Sequence, residues 1–596
     1  MDLENKLITT LKQAFLDLFS HQVEDDALAL QPTRKEFEGT YTFVVFPFLK
    51  VSKLSPEATA QQLGSYLEAN SAEVVGFNVV KGFLNLVIGQ DTWLTKFKTI
   101  AENSEWGRLP ANGKRVMVEY SSPNTNKPLH LGHLRNNFLG FAVAGILEAN
   151  GYEVIKSNLV NDRGIHICKS MVAYKNFGNN ETPESSGLKG DHLAGKYYVI
   201  FDKAYKSQIQ NLIAQGQTED EAKKNAPLML EAQEMLRLWE AGDEAVVTLW
   251  KTMNNWVYEG FAATYKKLGV TFDKYYYESD TYLLGKNIVE EGLAKGVFYK
   301  KENGSVWVDL TDQGLDEKLV LRADGTSVYI TQDMGTCDLK YQDYHIDKSV
   351  YVVGNEQDYH FDVLFKIMRK LGRPYGEGLY HLSYGMVDLP SGKMKSREGT
   401  VVDADDLVQE MIDTAATHTK ELGKIDGFSD EQATELYEIL GLGALKYFLL
   451  KVDPKKRMLF NPQESIEFQG NTGPFIQYSH ARIASILRKA EQIGVDYGAS
   501  GYEGLATLEQ AEMDLISILG DFERKLVVAG EEYAPSVLAQ YLFDLAKEYN
   551  RFYAELSIFN EKNQKIQAFR IALSAMTAKT IKIGMGLLGI TVPERM

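Results

Sequence analysis

Residues 115–160, RVMVEYSSPNTNKPLHLGHLRNNFLGFAVAGILEANGYEVIKSNLV, decide the fold. The run RVMVEY (115–120) is short and nearly all apolar, as in a strand buried on both faces. After a polar loop, Leu131, Leu134 and Phe138 are spaced by three and four, which predicts a helix that stops near Gly151. A second strand-like run follows at 152–160. Strand, crossover helix and strand predict a parallel, doubly wound α/β sheet with a nucleotide-sized crevice at its strand ends.

Downstream, the α/β pattern is interrupted from about 168 to 270 by charged, helix-forming sequence, which predicts a helical insertion. Strand patterns then return in four runs, which we interpret as the second half of the sheet: SVWVDL (305–310), SVYIT (327–331), SVYVVG (349–354) and YGMVDL (384–389). A helix fits at 361–371. From about 453 to the end, apolar stripes at helical spacing predict an all-α bundle.

Upstream, residues 1–110 combine an N-terminal helix with strand-like runs at 41–48 and 72–88, which predicts an α+β domain. Leu7, Leu11, Phe15 and Phe19 recur every four residues on that helix. A Gly- and Pro-containing stretch at 105–114 indicates a linker. The predicted domains are therefore 1–110, 111–452 and 453–596.

Composition excludes several classes of protein. The 596 residues are 44% hydrophobic, which excludes a disordered chain, and 64 basic against 81 acidic residues give a net charge of −17. A histone-like coating of nucleic acid is thus disfavoured, although a local basic face stays possible. Cys168 and Cys337 fit no metal-ligand spacing and indicate small buried residues in a reducing cytoplasm. The sequence contains no secretory signal and no apolar run of transmembrane length, so we expect a cytoplasmic protein.

The first cluster with chemical potential is SSPNTNKPLHLGH (121–133). Pro128 suits the start of a helix, which predicts that His130 and His133 lie on its first turn. A helix N-terminus attracts phosphate, two imidazoles can donate to phosphoryl oxygens, and Lys127 adds a charge. Gly132 allows a flat ring to approach the backbone. The alternative without a function is a pair of surface histidines near a helix cap. A zinc site is less well supported than a phosphate site, because no third ligand has a recognisable spacing.

The second cluster, GKMKSREGT (392–400), follows a predicted strand. Cations and glycines in such a loop can close over phosphates and hold negative charge as it develops. Taken alone, the cluster fits a solvated basic loop as well.

Together, HxGH and KMxxx resemble the HIGH and KMSKS signatures of class I aminoacyl-tRNA synthetases. Three further motifs, RADGTSVYITQD (322–333), VGNEQ (353–357) and GNTGPFIQYSHAR (470–482), resemble the arginyl-tRNA synthetases in particular. The resemblance implies that ATP and arginine form arginyl-adenylate and pyrophosphate, and that arginine then passes to the terminal ribose of tRNA(Arg). It also implies a class I fold, ATP with Mg²⁺, no structural metal and a monomer.

For the ATP site, the resemblance implies catalytic roles for His130, His133, Lys127 and Lys393. The other residues it assigns to ATP are Gly132, Met394, Lys395 and Ser396. The usual second lysine of KMSKS is replaced by Ser396, one place after Lys395. Many members of the family lack that lysine and are thought to use the one before HIGH, here Lys127. Whether Lys395 shares the role stays open.

For arginine, a planar guanidinium with a fixed fork of donors favours carboxylates and a ring or hydroxyl in fixed places. The resemblance places Glu119, Tyr329 and Asp333 on the guanidinium, and Asn124 and Gln357 on the α-amino end. Glu119 can instead be a surface carboxylate at a strand end, and Tyr329 a core tyrosine. The turn 161–166 fits a ligand contact or a turn held by Asp162 equally well.

For tRNA, the resemblance implies that the C-terminal helices form a DALR-type anticodon-binding domain and that residues 1–110 contact the tRNA corner. Candidate cations are Lys451, Lys455, Lys456, Arg457, Arg482 and Arg488, and candidate stacking rings are Tyr549, Phe552 and Tyr553. Such residues more often coat a helix or form its core. Two rival functions remain: a noncatalytic paralogue that binds tRNA or arginine, and a hydrolase with His130, His133 and His166 as metal ligands.

Overall fold

The computed structural model describes residues 3–24, 27–34, 36–388, 402–423, 425 and 427–596. The chain forms two compact units. One comprises residues 1–106, 489–521 and 548–577, and the other comprises residues 107–488, 522–547 and 578–596. None of the helices in the described ranges is long and apolar enough to cross a membrane.

The first unit contains the predicted N-terminal α+β elements. They are α1 (Leu3–Phe19), β1 (Leu30–Pro32), β2 (Tyr41–Val44), α2 (Leu49–Ser52), α3 (Pro56–Asn70), β3 (Val74–Val80), β4 (Phe83–Ile88) and α4 (Gln90–Glu102). The strands form an antiparallel sheet in the order β1-β2-β4-β3. On α1, the predicted stripe buries Leu7, Leu11 and Phe15, and the Phe15 ring lies 4.7 Å from that of Phe48. The run 72–88 is two strands, because Lys81 and Gly82 adopt positive φ and turn the chain.

From residue 107 onward, α/β elements give way to helices. In chain order they are β5 (Arg115–Glu119), α5 (Leu131–Ala149), β6 (Glu153–Val160), α6 (Ile165–Phe177), α7 (Pro183–Ser186), α8 (Gly190–Ala214), α9 (Glu219–Asn225), α10 (Pro227–Glu240), α11 (Glu244–Leu268), β7 (Lys274–Tyr277), α12 (Glu278–Thr281), α13 (Lys286–Ala294), β8 (Phe298–Lys300), β9 (Val306–Val308), β10 (Lys318–Leu321), α14 (Tyr329–Tyr344), β11 (Lys348–Gly354), α15 (Asp358–Lys370), β12 (Leu379–Tyr384), β13 (Val387–Asp388), α16 (Ala404–Glu421), α17 (Asp430–Leu450), β14 (Met458–Leu459), α18 (Pro462–Ser465), α19 (Gly473–Gln492), α20 (Gln510–Gly520), α21 (Phe522–Glu531), α22 (Pro535–Glu555) and α23 (Gln564–Leu587).

The main sheet has five parallel strands in the order β12-β11-β5-β6-β7. The predicted strand, helix and strand are β5, α5 and β6, and Val116, Met117 and Val118 of β5 are fully buried. After β5 the chain builds outward through β6 and β7, and then returns to the other side of β5 with β11 and β12. The strand order therefore reverses between β5 and β11, which is where doubly wound sheets bind ligands at their carboxyl ends.

The predicted helical insertion is confirmed by α6 to α11, whereas the second half of the sheet differs from the prediction. SVWVDL forms β9, but in a separate antiparallel sheet with β8 and β10. The strand prediction for SVYIT is wrong, because Tyr329 begins α14 and the Thr331 hydroxyl accepts the backbone N–H of Val328 at its N-terminus. In YGMVDL, Tyr384 is the last residue of β12, and Val387–Asp388 forms the short strand β13, which pairs with β14. The sheet edges β7 and β12 were not predicted.

Candidate functional site

The two histidines of the first cluster cap α5. The helix begins at Leu131, so His130 is its N-cap and Pro128 lies outside it, which corrects the prediction that both histidines lie on the first turn. The Gly132 N–H donates to His130 Nδ1, and the His130 N–H donates to His133 Nδ1, each over 3.1 Å. The centroids of the two imidazole rings lie 4.0 Å apart. A Cβ at Gly132 would lie 2.9 Å from His130 Cε1, so the ring that glycine admits is that of His130 itself.

These contacts define the protonation of both rings. Burial, with a smaller effect of Lys127, lowers the pKa of His130 to about 4. Burial also holds the pKa of His133 well below its usual range. Both imidazoles are therefore neutral near pH 7, and because each Nδ1 accepts a backbone N–H, each proton resides on Nε2. The turn thus presents two N–H donors, as a polyphosphate requires.

Lys127 precedes this turn and is half-buried. Burial lowers the pKa of its ammonium group, and its charge lowers the pKa of His130, His133 and His166 in turn. The turn therefore lies close enough to Lys127 for a positive charge to reach whatever the imidazoles bind.

The chain on either side of the second cluster is attached to the first. Downstream, the Leu131 N–H donates to the Val402 carbonyl over 3.2 Å, and the Ala404 N–H donates to the Leu129 carbonyl over 2.9 Å. Upstream, Gly385 is bonded to α5 through Arg135. The predicted residues Lys393, Met394, Lys395 and Ser396 lie outside the described residues.

Arg135 makes the upstream attachment from the second turn of α5. Its buried guanidinium donates to the carbonyls of Gly385, Asp453, Pro454 and Lys456 over 3.0–3.3 Å. Burial lowers its pKa to about 10, so it stays charged at neutral pH and its charge is solvated by backbone dipoles. We name these five residues the Arg135 clamp.

A cavity of about 370 Å³, here called the carboxylate cavity, opens at the carboxyl ends of β5 and β11. Four of the five predicted arginine-binding residues line it: Glu119, Tyr329, Asp333 and Gln357. The fifth, Asn124, lines a second cavity of about 580 Å³, which shares Tyr329 and Asp333 with the first. Tyr329 is 77% exposed, which is inconsistent with a core tyrosine.

Glu119 has a partner that the sequence did not predict. Its carboxylate lies 2.6 Å from the ammonium of Lys340, and both side chains are almost completely buried. The ammonium also lies 4.5 Å from the centre of the Tyr351 ring. Lys340 is seven residues after Asp333 on α14, so the helical repeat is a signal that could have placed it on the same face. The alternative of a surface carboxylate at position 119 is wrong.

Asp333 also has an unpredicted partner. His360 Nε2 lies 2.6 Å from Asp333 Oδ2, and this contact raises the pKa of the imidazole above its ordinary value. His360 lines the same cavity and follows Gln357 by three residues, the spacing of one helix face.

The turn after β6 serves the structure. The buried Asp162 carboxylate accepts hydrogen bonds from the Ser279 N–H and hydroxyl and from the Tyr258 hydroxyl, and its carbonyl accepts from Trp250. This arrangement favours the turn held by Asp162. Arg163 and His166 nevertheless line the larger cavity.

The three histidines of the alternative metal site do not form one ligand group. Within the described ranges, the only histidine and carboxylate group tight enough for a metal ion is His192, Asp403 and Asp405, not His130, His133 and His166. The ammonium of Lys189 already pairs with Asp405 there.

The candidate tRNA contacts divide by burial. Tyr549 and Phe552 are fully buried, so stacking on exposed bases is wrong for both, whereas Tyr553 is 42% exposed. Among the cations, Lys455, Lys456, Arg457 and Arg488 are exposed, whereas Lys451 and Arg482 are half-buried. Four of the six have partners: Lys451 donates to the Asn471 carbonyl, Arg457 pairs with Asp388, Arg482 lies over the Tyr478 ring and Arg488 donates to the Glu594 carbonyl.

Known proteins resemble this chain along its whole length. A family model described as tRNA synthetases class I (R), catalytic domain, matches residues 98–461, and one described as DALR anticodon binding domain matches residues 476–596. Curated relatives named arginine–tRNA ligase, from Amoebophilus asiaticus (strain 5a2) and Bacteroides thetaiotaomicron, are 61% and 58% identical, with 100% of both chains covered. The solved structure of Thermus thermophilus arginyl-tRNA synthetase is 26% identical, covers 100% of both chains and has a TM-score of 0.78.

Proposed function

Because the chain belongs to the arginyl-tRNA synthetase family, we propose that its carboxylate cavity binds arginine and that its two capping histidines bind the phosphates of ATP. The reaction of the chain joins arginine to tRNA and uses ATP. The observation that carries the residue assignments is the shared edge of the sheet. The capped turn before α5 and the acidic cavity both follow β5, at the reversal of strand order.

In the proposed first step, the arginine carboxylate attacks the α-phosphorus of ATP and pyrophosphate leaves. The Nε2–H groups of His130 and His133 donate to phosphoryl oxygens, and the neutral state of the rings keeps these protons in place. Lys127 and, by resemblance, Lys393 offset the charge that develops on pyrophosphate. Mg²⁺, which the family resemblance implies, would accompany ATP and offset part of the phosphate charge; the N–H donors of His130 and His133 suit phosphoryl oxygens and are not metal ligands.

In the proposed complex, the guanidinium would lie against Asp333 with Tyr329 beside it, and Glu119, paired with Lys340, would supply a second carboxylate. Gln357 of the carboxylate cavity and Asn124 of the second cavity would lie toward the α-amino end. A planar cation with several donors can satisfy two separated carboxylates, whereas the point charge of lysine can satisfy only one well. This difference supports selection of arginine over lysine.

The tRNA assignments are proposed at the level of domains. Residues 453–596 would bind the anticodon, 111–452 would carry the reaction and 1–110 would contact the tRNA corner; the match of 476–596 to an anticodon-binding family supports the first. The exposed Lys455 and Lys456 are cations suited to RNA phosphates. We propose a cytoplasmic monomer. The noncatalytic paralogue is disfavoured because its phosphate-binding histidines would have no use.

Pyrophosphate exchange tests the proposed function. The purified protein should exchange labelled pyrophosphate into ATP with arginine and not with the other amino acids. We expect exchange to need tRNA(Arg), a property of the family. Exchange driven by another amino acid would contradict the proposal that arginine is the substrate. Robust exchange without tRNA would contradict only the expected tRNA requirement.

Lys127→Ala tests which lysine replaces the second lysine of KMSKS. Removal of the ammonium should lower the rate of arginine activation by at least about tenfold, or about 1.4 kcal/mol in the transition state. Lys395→Ala is the matched comparison, measured by exchange and by single-turnover aminoacylation. If Lys127→Ala leaves both rates unchanged, Lys395 or another group carries the charge.

A further inference from the structure

We propose that His360 is a positioning residue that orients Asp333 and sets how strongly this carboxylate attracts the guanidinium of arginine. The inference rests on the proposed arginine-binding role of the carboxylate cavity, and it adds a residue that the sequence motifs did not mark.

The geometry begins with the contact between the two side chains. His360 lies on the first turn of α15 and Asp333 on the second turn of α14, and the Nε2 to Oδ2 distance is 2.6 Å. Among the described residues, His360 is the only side chain that bonds to the Asp333 carboxylate, which is 36% exposed toward the cavity. The second carboxylate oxygen therefore has room for a ligand donor.

The other charges around the cavity are already paired or line the second cavity, from which Glu278 is near enough for the charge of Asp333 to help raise its pKa after burial. Glu119 at the end of β5 is neutralised by Lys340 of α14. On α15, Asp358 faces His381 of β12. From α12, Glu278 lines the second cavity, where Arg322 also lies and donates to the Ser327 carbonyl. Asp333 is thus the carboxylate with an exposed face in the carboxylate cavity, and His360 is the group that modulates it.

The charge of the pair depends on the protonation of His360. Neutral His360 donates Nε2–H to Asp333 and leaves a net charge of −1 for arginine. Protonated His360 forms a neutral ion pair with Asp333, and the guanidinium then competes with an internal cation. The contact with Asp333 raises the pKa of the imidazole, so arginine affinity should fall as the pH drops through that raised value. Bound arginine would lower the same pKa and release a proton.

The test compares His360→Gln and His360→Ala in aminoacylation of tRNA(Arg) between pH 6 and 8. In the unmodified protein, we expect the KM for arginine to rise about fivefold toward pH 6, as one titrating group allows, while kcat and the KM for ATP change less. Glutamine reaches like Nε2 and donates without titrating, so His360→Gln should keep the pH 8 KM within about twofold and lose the extra rise. His360→Ala should raise the pH 8 KM about tenfold.

A control and a second measurement complete the test. His345→Asn is the control. His345 lies at the end of α14 with a positive φ, which asparagine tolerates, so this variant should keep the pH dependence of the arginine KM seen in the unmodified protein. Calorimetry of arginine binding to the unmodified protein with tRNA, in two buffers of different ionisation enthalpy, should show proton release. An unchanged KM profile in His360→Gln, or no proton release, overturns the role of His360. Failure of arginine to support aminoacylation in the unmodified protein would instead overturn the proposed function.

Discussion

Asparagine in place of Asp333 should lower kcat/KM for arginine about a thousandfold, or about 4 kcal/mol. The substitution keeps the size of the side chain and an oxygen for the His360 contact, but it removes the carboxylate charge that we propose faces the guanidinium. A buried charge-assisted contact carries most of its free energy in that charge. The KM for ATP should stay within about twofold, since the substitution does not change the capping histidines His130 and His133.

Steady-state aminoacylation with arginine, ATP and tRNA varied in turn measures this loss. Asp343→Asn is the matched control, because Asp343 lies on the same helix but pairs with Lys274 and accepts from the Tyr276 hydroxyl. We expect the control to change the KM for arginine less than about twofold. A loss below tenfold for Asp333→Asn would show that another group binds the guanidinium.

Lys340→Met should lower the free energy of unfolding by about 3–5 kcal/mol, because it leaves the Glu119 carboxylate buried without its counter-ion. The double variant Glu119→Gln/Lys340→Met should recover most of that stability, since both charges are then absent. It should not recover arginine binding if Glu119 contacts the guanidinium. The two variants thus separate the structural role of the pair from its role in the cavity.

Thermal unfolding, followed by circular dichroism, gives the stability, and the arginine KM gives the binding. Lys366→Met is the control, because Lys366 pairs with an exposed carboxylate, that of Asp362 four residues away on α15, and methionine keeps the aliphatic contacts of the lysine. Its effect should stay below about 0.5 kcal/mol. If Lys340→Met is as stable as this control, the buried pair does not contribute as its burial requires.

The spacing of apolar residues predicted the strands and helices that are buried in the way this spacing indicates. The βαβ unit was predictable because β5 is buried on both faces and α5 keeps one apolar spacing throughout. The strand predicted at SVYIT was wrong because its β-branched residues favour a strand. The hydrogen bond by which the Thr331 hydroxyl caps α14 depends on the folded structure and cannot be read from the sequence. Likewise, the stripe containing Tyr549 and Phe552 has the same spacing whether it faces bases or the core.

In the candidate site, residues that follow strands were predictable and their partners were not. Glu119 ends β5 and Gln357 follows β11, so the topology brings them to one edge. Lys340 and His360 reach the cavity because α14 and α15 pack around that edge, and no spacing in the sequence encodes which carboxylate each one meets. Apart from Tyr549 and Phe552, which are buried, the predicted tRNA-binding residues and the KMSKS-like segment stay predictions.

The Arg135 clamp has a consequence for biosynthesis. Its acceptors come 250 residues later at Gly385 and 318–321 residues later at Asp453, Pro454 and Lys456. A ribosome adds about 5–20 residues per second, so α5 emerges many seconds before its guanidinium has anything to bond. Until then, packing α5 against the sheet would bury a charge without acceptors, which is strongly unfavourable. The packing of α5 against β5 and β6 therefore cannot be completed until the residues up to Lys456 have been synthesised. A chain truncated before Gly385 should expose the apolar surface of α5 to chaperones and proteases.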